Sequence, residues 1–143
     1  MNDLVIAVVP CTMIDLIWEK VHPVMQLAAD KAPEDVCCKV VRDELIKGEK
    51  LLVTISRASE IVAINVLVLR TLDTGIRILY IPLTAGSEMK FWAEDFLNFA
   101  KVIAKAHNCV ELRGLAVRSG WMKYLKPYGW EEMFTTVRCK LGD

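Results

Sequence analysis

Long-range charge is absent from this chain. Its 18 basic and 18 acidic residues cancel to a formal net charge of zero, which removes the field that would draw nucleic acid or an anionic membrane to the protein. Any phosphate recognition has to be local. Long apolar runs are also missing: Leu4 to Pro10 is short, and Ile61 to Leu69 is interrupted by Asn65, against about 20 apolar residues for a spanning helix. The opening Met-Asn-Asp-Leu-Val lacks the basic region and small-residue cleavage site of a secretory signal, so a cytoplasmic location is expected. The five cysteines, Cys11, Cys37, Cys38, Cys109 and Cys139, are odd in number and never spaced C-x-x-C. That argues against a disulfide framework or a zinc knuckle and for reduced thiols. The two histidines, His22 and His107, stand alone, and no metal site is expected.

What is present is apolar surface and clear periodicity. The 143 residues, 54% of them apolar, suit a single domain over 1–143 with a sizeable core. The apolar excess also points to a face covered by a partner. Leu4 to Val9 reads as a strand closed by Pro10. Thr12 and Asp15 form a weak capping box ahead of Ile14, Ile17, Trp18 and Val21 at helical spacing. Pro23 is expected to end or kink that helix, with a further helical stretch from Val24 to Ala29. A second helix is expected to start at Pro33, bury Cys37, Val40, Val41 and Leu45, and stop at Gly48.

From Leu51 the period becomes that of strands: 51–56, 61–70 and 76–83, separated by turns at 57–60 and 73–75, form an antiparallel meander. Met89, Trp92, Phe96, Phe99, Ala100 and Ile103 place a long helix over 87–107. A strand at 109–112 follows. Ser119 then caps a short helix with the stripe Trp121, Tyr124, Leu125 and Tyr128, which Pro127 and Gly129 break, and Glu131 to Leu141 reads as the last strand. The order β-α-α-β-β-β-α-β-α-β predicts an α/β (α+β) fold with a mixed, mostly antiparallel central sheet, helices on both faces, and parallel strands flanking the long helix.

This order, with Arg118-Ser119-Gly120-Trp121 and Leu125-Lys126-Pro127-Tyr128-Gly129-Trp130 before the final segment, resembles the GNAT acetyltransferase superfamily over nearly the whole chain. Ile17-Trp18 with Val21 and Pro23, together with that ending, looks more narrowly like short GNAT-like proteins encoded by bacteriophages. The resemblance implies that acetyl-CoA or another acyl-CoA lies between the strand ending at Leu83 and the strand near Cys109. Leu83, Thr84, Ala85, Gly86 and Ser87 would bind it, with the pyrophosphate on amides of Thr84 to Glu88, left unpaired where two parallel strands separate. Gly86 would let the backbone approach the ligand, and Pro82 suits a strand end that needs no ladder bond. Arg118 would assist, and Tyr124 or Tyr128 would supply the proton for the leaving thiolate.

Two departures bear on activity. The loop holds one glycine, no preceding basic residue, and an acidic Glu88, and the position where many members carry tyrosine is Leu125. Two functions are therefore expected alternatives. One is an acyl-CoA-dependent N-acyltransferase acting on an amine acceptor. The other is a catalytically inactive GNAT-like phage virion, assembly or interaction protein, whose partner is a phage protein, a host protein or a second copy of itself. Neither involves a membrane, and nucleic acid is not an expected partner. Arg113, Arg118, Lys123 and Lys126 form either a phosphate clasp or a solvated basic patch.

Overall fold

A computed structural model describes residues 3 to 115 and 120 to 142, the side chain of Trp121 excepted. Five strands, β1 (Leu4–Val9), β2 (Leu51–Arg57), β3 (Glu60–Thr71), β4 (Arg77–Gly86) and β5 (Glu111–Gly114), lie side by side in that order. The first three pairings are antiparallel and β4–β5 is parallel, as the helical crossover requires. Register follows the burial pattern, because shifting a strand by one residue would turn its apolar set outward. Val53, Ile55, Ala63, Leu67 and Leu79 face one side, while Leu52, Ile64, Val66, Leu83 and Ala85 face the other.

Helices cover both sides. Ile14, Val21 and Met25 of α1 (Ile14–Lys31), with Val41 and Leu45 of α2 (Cys38–Ile46), close the second set. Trp92, Phe96, Leu97 and Ala100 of α3 (Met89–Ala106) close the first, joined by Leu125 at the end of α4 (Gly120–Leu125) and by Trp130. Burying such side chains contributes about 1.5–3 kcal/mol each before the entropy of ordering them is counted. Trp92 and Phe96 meet edge to face with centroids 5.9 Å apart, a geometry their ring quadrupoles favour.

Several expected boundaries move. Pro23 breaks nothing: α1 is continuous through it. The ring lies on the exposed side, where the carbonyl it leaves without a donor meets water, and Val21 and Met25 on the buried side hold the axis. The second helix starts at Cys38 rather than Pro33, since the Ala32 carbonyl accepts from both Asp35 and Val36 N–H (3.0 and 2.9 Å) and closes a turn there. Its inward residues are Cys38, Val41 and Leu45, with Cys37 and Val40 exposed. β4 runs on to Gly86, so α3 begins at Met89 instead of Ser87.

The expected last strand does not form. Glu131 to Leu141 carries no regular structure and is exposed throughout. A strand's hydrogen bonds belong to its neighbour, and β5 offers an edge only four residues long. Among the described residues the segment's one side-chain tie is Arg138 to Glu34, 3.0 Å long and well exposed at both ends, which contributes little.

Candidate functional site

The site begins with a mismatch between the two edges of β4. Along β3, pairing continues to Ala63↔Gly86. Along β5 it stops at Ile81↔Gly114, with Leu115 N–H donating to the Ile81 carbonyl at 3.2 Å as the last rung. A bulge in β4 marks this point. Pro82 has no N–H, but the Ile81 carbonyl of the same trans peptide points to β5, so the missing donor lies on the β3 side. The register jumps from Val66↔Leu83 to Val68↔Tyr80, so that two residues of β4, Ile81 and Pro82, stand opposite Leu67 alone, a bulge that bends the strand. Among the described residues, β4 from Pro82 to Gly86 has β3 as its one strand neighbour and presents its other edge unpaired. Such an edge hydrogen-bonds an extended chain that carries amides.

A cleft of about 280 Å³ opens along this edge on the α1 side. Pro82, Leu83, Thr84, Ala85 and Gly86 line it, with Lys31 of α1 and Asp35 of the following turn at its rim. The structure thus brings together four of the expected cofactor residues. The fifth, Ser87, lies just past the cleft and its N–H is not free: it donates to the Val62 carbonyl at 2.9 Å, while its own carbonyl accepts from Trp92 Nε1 at 2.7 Å. Thr84 to Gly86 are strand residues paired with β3 rather than a loop. At the start of α3 the N–H groups of Glu88, Met89 and Lys90 have no backbone acceptor among the described residues, and there a helix carries a partial positive charge.

Glu88 is not a charge aimed at a ligand. Its carboxylate accepts from Arg57 at 2.9 Å, and Arg57 also holds Asp3 at 2.8 Å. Gly86 is glycine because of its neighbour. A Cβ there would sit 2.3 Å from the Val62 carbonyl oxygen, and its φ of +124° belongs to the region that favours glycine.

Tyr124 is half-buried on α4 and Tyr128 is 40% exposed in the 3-10 turn at Lys126–Tyr128. Neither lines the cleft or the cavity that Leu125 and Trp130 border. The expected inward stripe therefore loses Tyr128 to solvent. Arg118 lies outside the described residues. His22 stacks on Trp18 and His107 Nδ1 lies 3.3 Å from the Ile103 carbonyl at the end of α3. Burial, with Cys37 and Asp30 nearby, pushes the Cys38 thiol above its ordinary value, away from the thiolate that a nucleophile requires. Among the described residues no group of three or more His, Cys, Asp or Glu could hold a metal, and no helix is long and apolar enough to cross a membrane.

Sequence reasoning missed Asn65. It is 1% exposed on β3, its Oδ1 accepts from Thr84 Oγ1 at 2.6 Å, and its Nδ2 has no partner among the described residues. An unmet buried donor costs about 1–3 kcal/mol. The signal was available: Asn65 is the one polar residue in Ile61 to Leu69. It lines a second, smaller cavity of about 50 Å³ on the α3 side, and Thr84 and Leu115 border both spaces.

No protein-family model matches the chain, and no curated protein matches it in sequence. Solved structures match it in shape. A probable acetyltransferase superposes with a TM-score of 0.70 at 14% identity, over 97% of this chain and 99% of that one. An aminoglycoside acetyltransferase from an uncultured soil metagenomic sample, solved with sisomicin, gives 0.72 at 11% identity over 99% and 98%. A ribosomal-protein-alanine N-acetyltransferase from Brucella melitensis biovar Abortus 2308 gives 0.69 at 12% identity over 97% and 99%. The chain has the GNAT-type acetyltransferase fold, and at these identities the likeness is one of fold.

Proposed function

We propose that the protein is an N-acyltransferase that takes its acyl group from acyl-coenzyme A. The observation that carries this reading is the open edge of β4 from Pro82 to Gly86, facing a cleft beside the start of α3. The residues suit such a cofactor in kind. Its amide-bearing arm matches an unpaired strand edge, and its phosphates match the N–H groups of Glu88, Met89 and Lys90. With Ser87 N–H occupied and Glu88 paired to Arg57, phosphate binding rests on the helix start rather than on a glycine loop. When bound, the cofactor supplies a thioester with an electrophilic acyl carbon.

The chain's own part is chiefly to position. Leu83 and Ala85 fix the edge by burying their side chains under α1, so the backbone that orients the thioester is rigid, and such positioning can supply much of a rate enhancement. Lys31 and Asp35 stand where an amine acceptor enters. With the cofactor and an amine bound, transfer would join the nitrogen to the acyl carbon as the C–S bond breaks, so the chain would have to deliver a proton to the sulfur while the nitrogen gives one up. Of the two phenols, Tyr124 is assigned the proton for sulfur, being half-buried beside the cavity-lining Leu125, while Tyr128 is turned outward.

Calorimetry with acetyl-CoA tests the reading. One binding event per chain, together with acetyl transfer to a polyamine or aminoglycoside that falls about tenfold in kcat at constant KM in Tyr124→Phe, is expected. Absence of any heat at millimolar acetyl-CoA would overturn it.

A further inference from the structure

The cavity on the α3 side is unlike an ordinary packing defect. Its walls are apolar side chains, chiefly Trp92, Phe96, Leu97 and Trp130, yet its floor holds the amide of Asn65. Thr84 Oγ1 donates to Oδ1 of that amide, which leaves Nδ2 as a buried donor with no partner among the described residues. A leucine at this position would fill the space with no unmet amide of its own, though it would take the acceptor from Thr84 Oγ1. The room is small: at about 10–15 Å³ for each water-sized centre, about 50 Å³ accommodates a short chain of a few heavy atoms and no long one. What fits is a group with one acceptor oxygen and a short alkyl tail.

We propose that this cavity seats the short acyl group of the substrate, its carbonyl oxygen accepting a hydrogen bond from Asn65 Nδ2. The proposal rests on the acyltransferase reading and deepens it, naming Asn65 as the residue that tells an acylated cofactor from a free one and limiting the acyl chain to a few carbons. Thr84 and Leu115 border both the cleft and the cavity, so a thioester held along β4 reaches the cavity beside these two residues. Loss of a single hydrogen bond to a buried donor corresponds to roughly a tenfold change in affinity.

The experiment compares acetyl-CoA with free CoA by calorimetry in the wild type and in Asn65→Leu, and follows the Asn65 side-chain NH2 resonance of ¹⁵N-labelled wild type during titration with acetamide. The wild type is expected to prefer acetyl-CoA about tenfold, and Asn65→Leu to bind both alike with its CoA affinity within twofold of wild type. A preference that survives in Asn65→Leu, or is absent from the wild type, overturns the proposal. Should Asn65→Leu fail to fold, or should neither cofactor bind the wild type and the transferase reading itself fail, the acetamide titration decides. A saturable shift of the Asn65 resonance supports a short-acyl site. A resonance that acetamide does not move indicates a resident water only and overturns it.

Discussion

β4 is one strand with two different edges. Toward β3 it is paired at eight positions, with Gly86 wedged against Val62 and Ala63; toward β5 it is paired at four and then released. The first edge carries stability, since its side chains enter both cores and its ladder runs on to Gly86. The second is the edge proposed for recognition, since among the described residues its backbone groups past Ile81 have no strand partner beside a cleft. A sheet needs its hydrogen bonds to fold and spare ones to bind. Here the change from one to the other falls at the bulge of Ile81 and Pro82.

The contrast is open to attack by substitution. Gly86→Ala strikes the structural edge, where the new methyl meets backbone atoms at 2.3 and 2.5 Å and a positive φ. A stability loss of roughly 3 kcal/mol is expected from urea denaturation. A loss below about 0.5 kcal/mol would show that this edge is slack. Pro82→Ala strikes the point where pairing with β5 ends and adds an N–H there on the β3 side. Stability is expected to fall by only about 0.4–1 kcal/mol, through a less constrained unfolded chain, and equal losses at the two sites would erase the distinction. Furthest from both edges, Phe134→Ala and Val137→Ala remove side chains that are 83% and 86% exposed. Each should leave the denaturation midpoint unchanged within about 0.5 kcal/mol, and a larger loss would mean that the segment is packed after all.

Much of the scaffold could be read from residue patterns because local and tertiary demands coincide there. The meander 51–83 and the stripe Trp92, Phe96, Ala100 obey one period each, and the structure keeps them. Where a residue's local preference met a stronger neighbour, the reading failed. Pro23 is tolerated because its face is wet, and Pro33 starts no helix because Ala32 closes a turn first. Glu131 to Leu141 alternates like a strand yet has no adequate edge to join, which no property of the segment itself reveals.

The site divides in the same way. Pro82 marks the release point and is visible in sequence, and the expected residues Leu83 to Gly86 do line the cleft. Gly86 is visible too, but its reason is contact with β3 rather than approach of a ligand. The pairing of Glu88 with Arg57 joins positions 31 residues apart and depends on the sheet's register. Lys31 and Asp35 reach the rim only because α1 ends beside β4. Asn65 was conspicuous among its apolar neighbours, but its unmet amide is a fact of packing.

Hydrogen exchange across Leu83 to Gly86, measured by NMR with and without saturating acetyl-CoA, addresses the claim that the released edge of β4 is the binding surface. The account predicts that at least one amide in this stretch exchanges about tenfold more slowly with ligand, while β1 and the β2–β3 turn are unchanged. Saturation with acetyl-CoA that leaves Leu83 to Gly86 untouched, or protects only residues elsewhere, would contradict it.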